Sequence, residues 1–387
     1  MEENFLILCG YFSLNKNPEL KAFELALDIP GGIMKSKKAV FILMLIVFGA
    51  FLFPGCKNKG SGAEGDAVKG GPSIGVFIPG VMAGSAIYEM LAEGTEKAAR
   101  DFAASGSQTA PSVTVIEAGF NQAEWEGQVT TLAASGAYDL IVSSNPSLPD
   151  IVSSVSAKFP KQKFLLLDGE LEGNPNVYTL RYNQREQAYM AGYIAALVSL
   201  ETIVSESTAE AKKIGLVAAQ EYPVMNNIIL PGFIEGARAV DPDFSVDFRV
   251  VGNWFDAAKA TELAAAMIRG GARVLLPIAG GAGHGVIQAA SEAGVKVVWF
   301  DTNGYAIRPG TVVGSAVLRQ DRAAYEKITL YLEGKLPFGK AEVAGTADGF
   351  VAFVEDDPDY IATVNREIRE RQAKMIARLR SGEIKLE

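Results

Sequence analysis

Short apolar runs alternate with segments of helical periodicity through most of the chain after position 72. The runs that predict strands in the first block are 73–79, 113–117, 139–143, 164–167 and 177–180. The segments between them, such as 85–102 and 124–134, carry apolar residues at helical spacing. Alternation of this kind predicts a parallel sheet with helices on both faces.

The same pattern begins again after a polar break at 201–210. The apolar runs of this second block are 214–218, 246–251, 274–278 and 297–300. Two consecutive α/β blocks predict two doubly wound parallel-sheet lobes with a ligand cleft between them. We assign 73–183 to the N-terminal lobe, 184–304 to the C-terminal lobe, and 305–387 to a crossover return that buttresses both lobes.

The segment 273–301 is the clearest βαβ unit in the chain. Its first strand is followed by a loop with four glycines between 280 and 285, and its second strand ends in Asp301. Open α/β sheets bind ligands at the carboxyl ends of their strands, so Asp301 is placed to accept hydrogen bonds from sugar hydroxyls. Two alternatives stay open. The loop can be a dinucleotide-binding motif, although its glycine spacing differs from G-x-G-x-x-G, or its glycines can simply permit a turn.

The N-terminal region has the pattern of a lipoprotein signal peptide. Residues 34–55 combine a basic start with an apolar stretch too short to span a bilayer comfortably, and Gly-Cys at Cys56 follows. This ending resembles a lipobox, whose cysteine receives acyl chains such as palmitate and becomes the first mature residue. An uncleaved single-pass anchor is the alternative.

The residues on either side of this signal fit the same interpretation. Residues 1–33 are then an upstream extension, and translation starts at either Met1 or Met34. Residues 56–72 are rich in Gly, Lys and Ala, which predicts a flexible tether. Such a tether places the folded body at a cell membrane surface, on the periplasmic side or the outside of the cell, without inserting it.

Composition narrows the range of functions. The chain has a net charge of -9, which argues against a nucleic-acid partner. It contains two cysteines, Cys9 and Cys56, so no disulfide can form if Cys9 lies outside the mature protein. His284 is the only histidine, and the sequence contains neither a nucleophile elbow nor a P-loop. We therefore expect a protein that is not an enzyme and that uses no metal or cofactor.

Loops after the predicted strands carry amides, aromatic residues and glycines, with few charges. Amides pair with the donors and acceptors of a heterocycle, and aromatic rings stack on it. The candidate ligand-binding residues are Ser85, Tyr88, Asn121, Gln122, Asn145, Pro146, Tyr222, Trp254, Gly281, His284, Asp301 and Asn303. Structural alternatives exist for several of them. Asn121 with Glu124 can cap a helix, Trp254 can belong to the core, and the Ser-Ser-Asn-Pro sequence is good turn chemistry.

A set of motifs is spread over the body from position 73 to about 333. The set consists of 138–142, Phe159-Pro160, Phe164, Asp168-Gly169, Asn176-Val177, Glu186, Tyr189, Gly192-Tyr193, Ala195-Ala196, 215–217, 231–233 with Gly236, 280–287 and Asp301. Together these motifs resemble the basic membrane protein family of substrate-binding lipoproteins. The resemblance implies a type I periplasmic-binding-protein fold. It also implies delivery of a small ligand, best known as a purine nucleoside, to the permease and ATPase subunits of an ABC importer.

The chain departs from the family's nucleoside pattern at three places. Residues 84–88 (GSAIY) replace the family's D-x-S-F-N stretch, Leu318 replaces a lysine, and Asn303 replaces an acid. Four other segments instead resemble the riboflavin-binding lipoproteins of the family: 88–90, 119–122, 144–146 and 182–184. An isoalloxazine ring suits amides and aromatic faces, and a ribityl chain suits Asp301 and the glycine loop.

We expect an extracytoplasmic, lipid-anchored receptor of an ABC importer that binds riboflavin or a related ribose-bearing heterocycle. A purine nucleoside is the alternative ligand. Two alternative functions stay open: a receptor that signals to a sensor protein, and an enzyme of nucleoside or flavin metabolism.

Overall fold

The computed structural model describes residues 70–106, 109–119, 121–206 and 212–386. The predicted signal segment, Cys56 and most of the predicted tether lie outside the described residues. Within these ranges no helix is both long and apolar enough to cross a membrane.

The first sheet has apolar, fully buried strands at its centre. Its strands from the first block are β1 (Ser73–Ile78), β2 (Ser112–Glu117), β3 (Leu140–Ser144), β4 (Lys163–Leu167) and β5 (Val177–Tyr182). The helices between them are α1 (Ala86–Ala104), α2 (Gln122–Ser135) and α3 (Leu148–Lys158). Parallel pairing of β3 with both β1 and β4 buries the strand centres on both faces, which explains their near-continuous apolar sequence.

The second sheet repeats this arrangement. Its strands are β6 (Lys213–Ala218), β7 (Ser245–Val250), β8 (Val274–Ile278), β9 (Lys296–Asp301) and β10 (Val312–Leu318). Its helices are α4 (Gln184–Glu206), α5 (Leu230–Val240), α6 (Ala257–Arg269) and α7 (Gly283–Glu292), and a π-helical turn (Met225–Ile229) precedes α5.

The C-terminal part of the chain contributes to both sheets. Helix α8 (Gln320–Leu332) packs on α1, where Lys97 Nζ lies 4.0 Å from the ring centre of Tyr325. Strand β11 (Ala341–Ala344) pairs with β5, and β12 (Val351–Phe353) pairs antiparallel with β10. Helices α9 (Pro358–Thr363) and α10 (Arg366–Arg380) follow.

The two sheets have the same strand order, β11-β5-β4-β3-β1-β2 in the first and β12-β10-β9-β8-β6-β7 in the second. Strand β4 therefore corresponds to β9. The predicted fold class is confirmed: an α/β protein with two parallel-sheet lobes of the type I periplasmic-binding-protein kind.

The chain passes from one sheet to the other between Tyr182 and Gln184, between Leu318 and Gln320, and between Ala344 and Val351. Hydrogen bonds join these crossings. Asn183 N donates to Ala344 O at 2.8 Å, and Arg319 N donates to Phe350 O at 2.8 Å. These segments are therefore the hinge between the lobes.

Candidate functional site

Two aspartates end corresponding strands of the two sheets. Asp168 directly follows β4, and Asp301 is the last residue of β9. Both have a left-handed backbone, with φ of 55° and 70°, and they are the non-glycine residues with positive φ among those that the structure describes. Left-handed backbone is costly for most residues but is tolerated by aspartate, so this shared conformation at one edge of both sheets makes the two aspartates candidates for a functional role.

The two carboxyl groups influence each other. Burial raises the pKa of Asp168 to about 7, the charge of Asp301 contributes to that rise, and Arg181 opposes it. Burial also raises the pKa of Asp301 to about 6, while a hydrogen bond from Gln187 opposes that rise. The two carboxyl groups, one from each lobe, thus lie close enough for the charge of one to affect the other.

Tyr88 and Asn145 line the same region in the first lobe. Tyr88 Oη donates to Pro79 O at 3.1 Å, and Asn145 Nδ2 donates to Tyr88 Oη at 3.3 Å. Burial raises the pKa of Tyr88, and the charge of Asp168 adds to this effect. Asn145 Oδ1 accepts from Ser147 N at 2.9 Å, so the Asn-Pro turn shapes the loop and also holds Tyr88 in place.

An aromatic pair contributes from the second lobe. The rings of Tyr222 and Trp254 are 6.4 Å apart with an angle of 39° between their planes. Burial raises the pKa of Tyr222, and the charges of Asp301 and Asp168 raise it further, so this residue lies near both carboxyl groups. Trp254 is 40% exposed, and its Nε1 donates to Gln220 Oε1 at 3.3 Å. A partly exposed indole beside Tyr222 is suited to stack on a heterocycle.

The glycine loop has mainly conformational roles. Gly280 has a φ of 54°, and Ala282 N donates to Trp254 O at 3.1 Å, so the loop packs under the tryptophan. A Cβ at Gly285 would lie 2.0 Å from Ala257 O, which shows that this glycine permits close packing of α6 and α7. Gly281 is exposed at the start of the loop.

The other sequence candidates are placed as follows. His284 is exposed in the first turn of α7, with its ring 6.1 Å from that of Trp299. Ser85 precedes α1, where its backbone oxygen accepts from Tyr88 N at 3.0 Å. Gln122 and Pro146 are exposed.

Two asparagine candidates are committed to structural hydrogen bonds. Asn121 Oδ1 accepts from Ala123 N at 3.3 Å and its Nδ2 donates to Glu124 Oε1 at 2.7 Å, which favours the helix-cap alternative. Asn303 Nδ2 donates to Asp357 Oδ2 at 2.8 Å and its Oδ1 accepts from Tyr305 N at 3.2 Å. Neither amide is therefore free to turn toward a ligand without breaking these bonds.

The structure thus places Tyr88 and Tyr222 near Asp168 and Asp301, with Asn145 bonded to Tyr88 and Trp254 beside Tyr222. Asp168 was absent from the sequence candidates, although its position after an apolar strand was visible. Gln187 was also absent from them.

Comparison with known proteins identifies the family. Residues 72–385 match the family model described as ABC transporter substrate-binding protein PnrA-like. The chain belongs to this family. The family consists of transporter substrate-binding proteins, so the expectation of a non-enzymatic, extracytoplasmic protein with a small-molecule ligand and permease partners is confirmed at that level. The finer resemblance to riboflavin-binding members stays a prediction.

Individual relatives agree with this assignment. The chain is 30% identical over 171 residues to the ABC transporter nucleoside-binding protein BmpA of Lactococcus lactis subsp. cremoris, covering 44% of this chain and 43% of that protein. It is 23% identical to basic membrane protein A1 of Borrelia garinii subsp. bavariensis, over 87% of this chain and 94% of that protein. An ABC transporter solute-binding protein from Aeropyrum pernix shares the fold with a TM-score of 0.71 at 22% identity, covering 82% of this chain and 93% of that one.

Proposed function

We propose that this PnrA-like protein captures a purine nucleoside between its two lobes and delivers it to an ABC importer. The observation that carries the proposal is the proximity of Asp168, Asp301 and Tyr222, together with the aromatic pair that Tyr222 forms with Trp254. Ionised carboxylates only accept hydrogen bonds, and two neighbouring ribose hydroxyls are matching donors. The exposed indole face of Trp254 is suited to stack on a purine base.

A relative supports this choice of ligand. The Lactococcus protein that is 30% identical over 171 residues is named as nucleoside-binding. For a nucleoside, Asp301 contacts the ribose and Asp168, whose pKa is about 7, pairs with a donor or an acceptor of the base according to its protonation.

Riboflavin is the second candidate ligand, and two observations favour it. Leu318, which stands where the family's nucleoside pattern has a lysine, is 3% exposed, and Asn303 is bonded to Asp357. The site therefore gains no cation from Leu318 and no second acid from Asn303. A flavin, with an uncharged ring and a polyhydroxyl chain, needs neither.

Calorimetric titration of the purified protein with guanosine, inosine and riboflavin tests this proposal. We expect saturable binding of guanosine or inosine with one ligand per chain. Binding of riboflavin alone would assign the site to flavins. Failure of all three ligands to bind would contradict the proposed ligand class.

We also propose that the protein is anchored by acylation of Cys56. The proposal is supported by the basic and apolar residues at 34–55, by the Gly-Cys ending, and by the matching of the family model from residue 72 onward. Metabolic labelling with a palmitate analogue should mark the wild type and a Cys9→Ala variant but not a Cys56→Ala variant. Equal labelling of the Cys56→Ala protein would refute the anchor.

A further inference from the structure

Gln187 is a fully buried glutamine in the first turn of α4. Its Nε2 donates to Asp301 Oδ1 at 3.0 Å and to Ala316 O at 3.0 Å, which uses both amide hydrogens. Its Oε1 is buried without a hydrogen-bond partner among the described residues. The hydrogen bond to a carboxylate at the ligand edge of the sheet is what distinguishes Gln187 from a glutamine that only fills the core.

The position of Gln187 links the ligand region to the hinge. Helix α4 begins directly after the crossing at Tyr182 to Gln184, and Ala316 lies on β10 just before the crossing at Leu318 to Gln320. Gln187 and Asp301 both belong to the second lobe, so their hydrogen bond does not depend on closure of the cleft.

We propose that Gln187 is a positioning residue, which holds the Asp301 carboxylate in the orientation that receives the ligand while making no ligand contact itself. This inference rests on the proposed function of Asp301 as a ribose contact. Gln187 is 0% exposed, so it acts only through Asp301. One amide hydrogen of Gln187 bonds the Asp301 carboxylate and the other bonds Ala316 on β10, so the carboxylate is held in place relative to that strand. Ligand binding then needs no reorientation of the carboxylate.

Three groups outside α4 interact electrostatically with Asp301. They are Asp168 after β4, Tyr182 at the end of β5 and Tyr222 after β6. Gln187 is the neighbour that stabilises the ionised form of Asp301, and its hydrogen bond opposes the rise in pKa that burial causes. Removing the amide therefore raises the pKa of Asp301 further.

The test compares Gln187→Met with Gln372→Met in the full chain. Gln372 is a close structural match, because it is also 0% exposed, donates through Nε2 to a backbone oxygen (Met190 O, 3.1 Å) and leaves Oε1 without a partner in the described structure. Carbon NMR of carboxyl-labelled aspartate, with Asp301 assigned through an Asp301→Asn variant, follows its titration without ligand. We expect Gln187→Met to raise the Asp301 midpoint by about one pH unit, and Gln372→Met to leave it in place. An unchanged midpoint in Gln187→Met would overturn the proposal.

A second measurement tests the consequence for binding. We expect Gln187→Met alone to weaken guanosine binding about tenfold at pH 8. In a protein that already carries Asp301→Asn, adding Gln187→Met should not weaken guanosine binding further. A raised midpoint with unchanged affinity would show that the bond exists but positions nothing, which also overturns the proposal. If the wild type binds no guanosine, the proposed function fails, whereas the titration still decides whether Gln187 controls Asp301.

Discussion

Asp168 and Asp301 occupy corresponding positions in the two lobes, and the charge of Asp301 raises the pKa of Asp168 across the cleft. Each follows an apolar parallel strand, and each has a left-handed backbone. Since each lobe contributes one carboxyl group, closing the lobes without a ligand brings two acids together. A ligand with several donors relieves this repulsion, so the pair favours closure around a ligand over empty closure.

The first prediction concerns the effect of Asp168 on stability. Its pKa rises from 3.8 to about 7 in the folded protein, so the native state binds more protons than the unfolded chain between these pH values. The free energy of unfolding contributed by this group therefore falls as pH rises through that window. We expect Asp168→Asn to raise the free energy of unfolding by about 1–3 kcal/mol at pH 8 and by less at pH 5.

Urea denaturation of the wild type and the variant at both pH values measures this difference. Glu172→Gln is the control, because Glu172 is exposed and its neutralisation should change stability little at either pH. A stability gain for Asp168→Asn that is equal at pH 5 and pH 8 would contradict a raised pKa.

The second prediction concerns Asp301 and the pH dependence of binding. Its pKa is about 6, so the carboxylate that accepts ribose hydrogen bonds is present above this pH and is lost below it. We expect guanosine affinity to decrease as pH falls from 7 to 5, and Asp301→Asn to weaken binding at least about tenfold at pH 8. Isothermal titration at each pH gives both quantities.

Asp150→Asn is a suitable control for this experiment, since Asp150 is exposed in the first turn of α3. It should bind guanosine like the wild type at every pH. If Asp301→Asn also bound like the wild type at pH 8, Asp301 would not be a ligand contact.

The third prediction uses the tryptophans as reporters. Trp254 is 40% exposed beside Tyr222, whereas Trp299 is bonded through Nε1 to Thr302 Oγ1 at 3.1 Å. We expect guanosine to quench tryptophan fluorescence in the wild type and in Trp299→Phe but not in Trp254→Phe. We also expect Trp254→Ala to weaken binding about tenfold, the usual effect of losing one stacking face. Quenching that persists in Trp254→Phe would exclude this tryptophan as the stacking surface.

The strand and helix pattern of the chain could be predicted because its parallel strands are buried on both faces. Runs such as 274–278 are then continuously apolar, and the elements were found within a few residues of their observed ends. Strand β11 was missed, because Ala341–Ala344 is only four residues long, contains the charged Glu342 and lies at a sheet edge. The helix before the expected polar break at 201–210 continues to Glu206 and so includes part of that break.

The site was only partly predictable, for a different physical reason. A residue that ends a strand, such as Asp301, can be assigned to the ligand edge from local sequence alone. Gln187 meets Asp301 from a helix that lies 114 positions away in sequence, and no periodicity identifies that contact. Asn121 satisfies both the helix-cap pattern and the ligand pattern, and only the hydrogen bond to Glu124 favours the cap.

The last prediction concerns the close packing of α4 and α5, which forms the support for Gln187. A Cβ at Gly192 would lie 2.0 Å from Phe233 O, and one at Gly236 would lie 2.1 Å from Tyr189 O. A backbone oxygen cannot move aside as a flexible side chain can, so Gly192→Ala must push the helices apart. We expect it to lower the free energy of unfolding by about 2 kcal/mol or more, measured by urea denaturation.

Gly127→Ala is the matched control, because Gly127 is exposed in α2 with nothing within 4 Å of its added Cβ, and there alanine should stabilise by about 0.5–1 kcal/mol. If Gly192→Ala lowers the free energy of unfolding and Gly127→Ala raises it, the close approach of α4 and α5 requires glycine at position 192. A Gly192→Ala variant that is more stable than the wild type would refute this requirement.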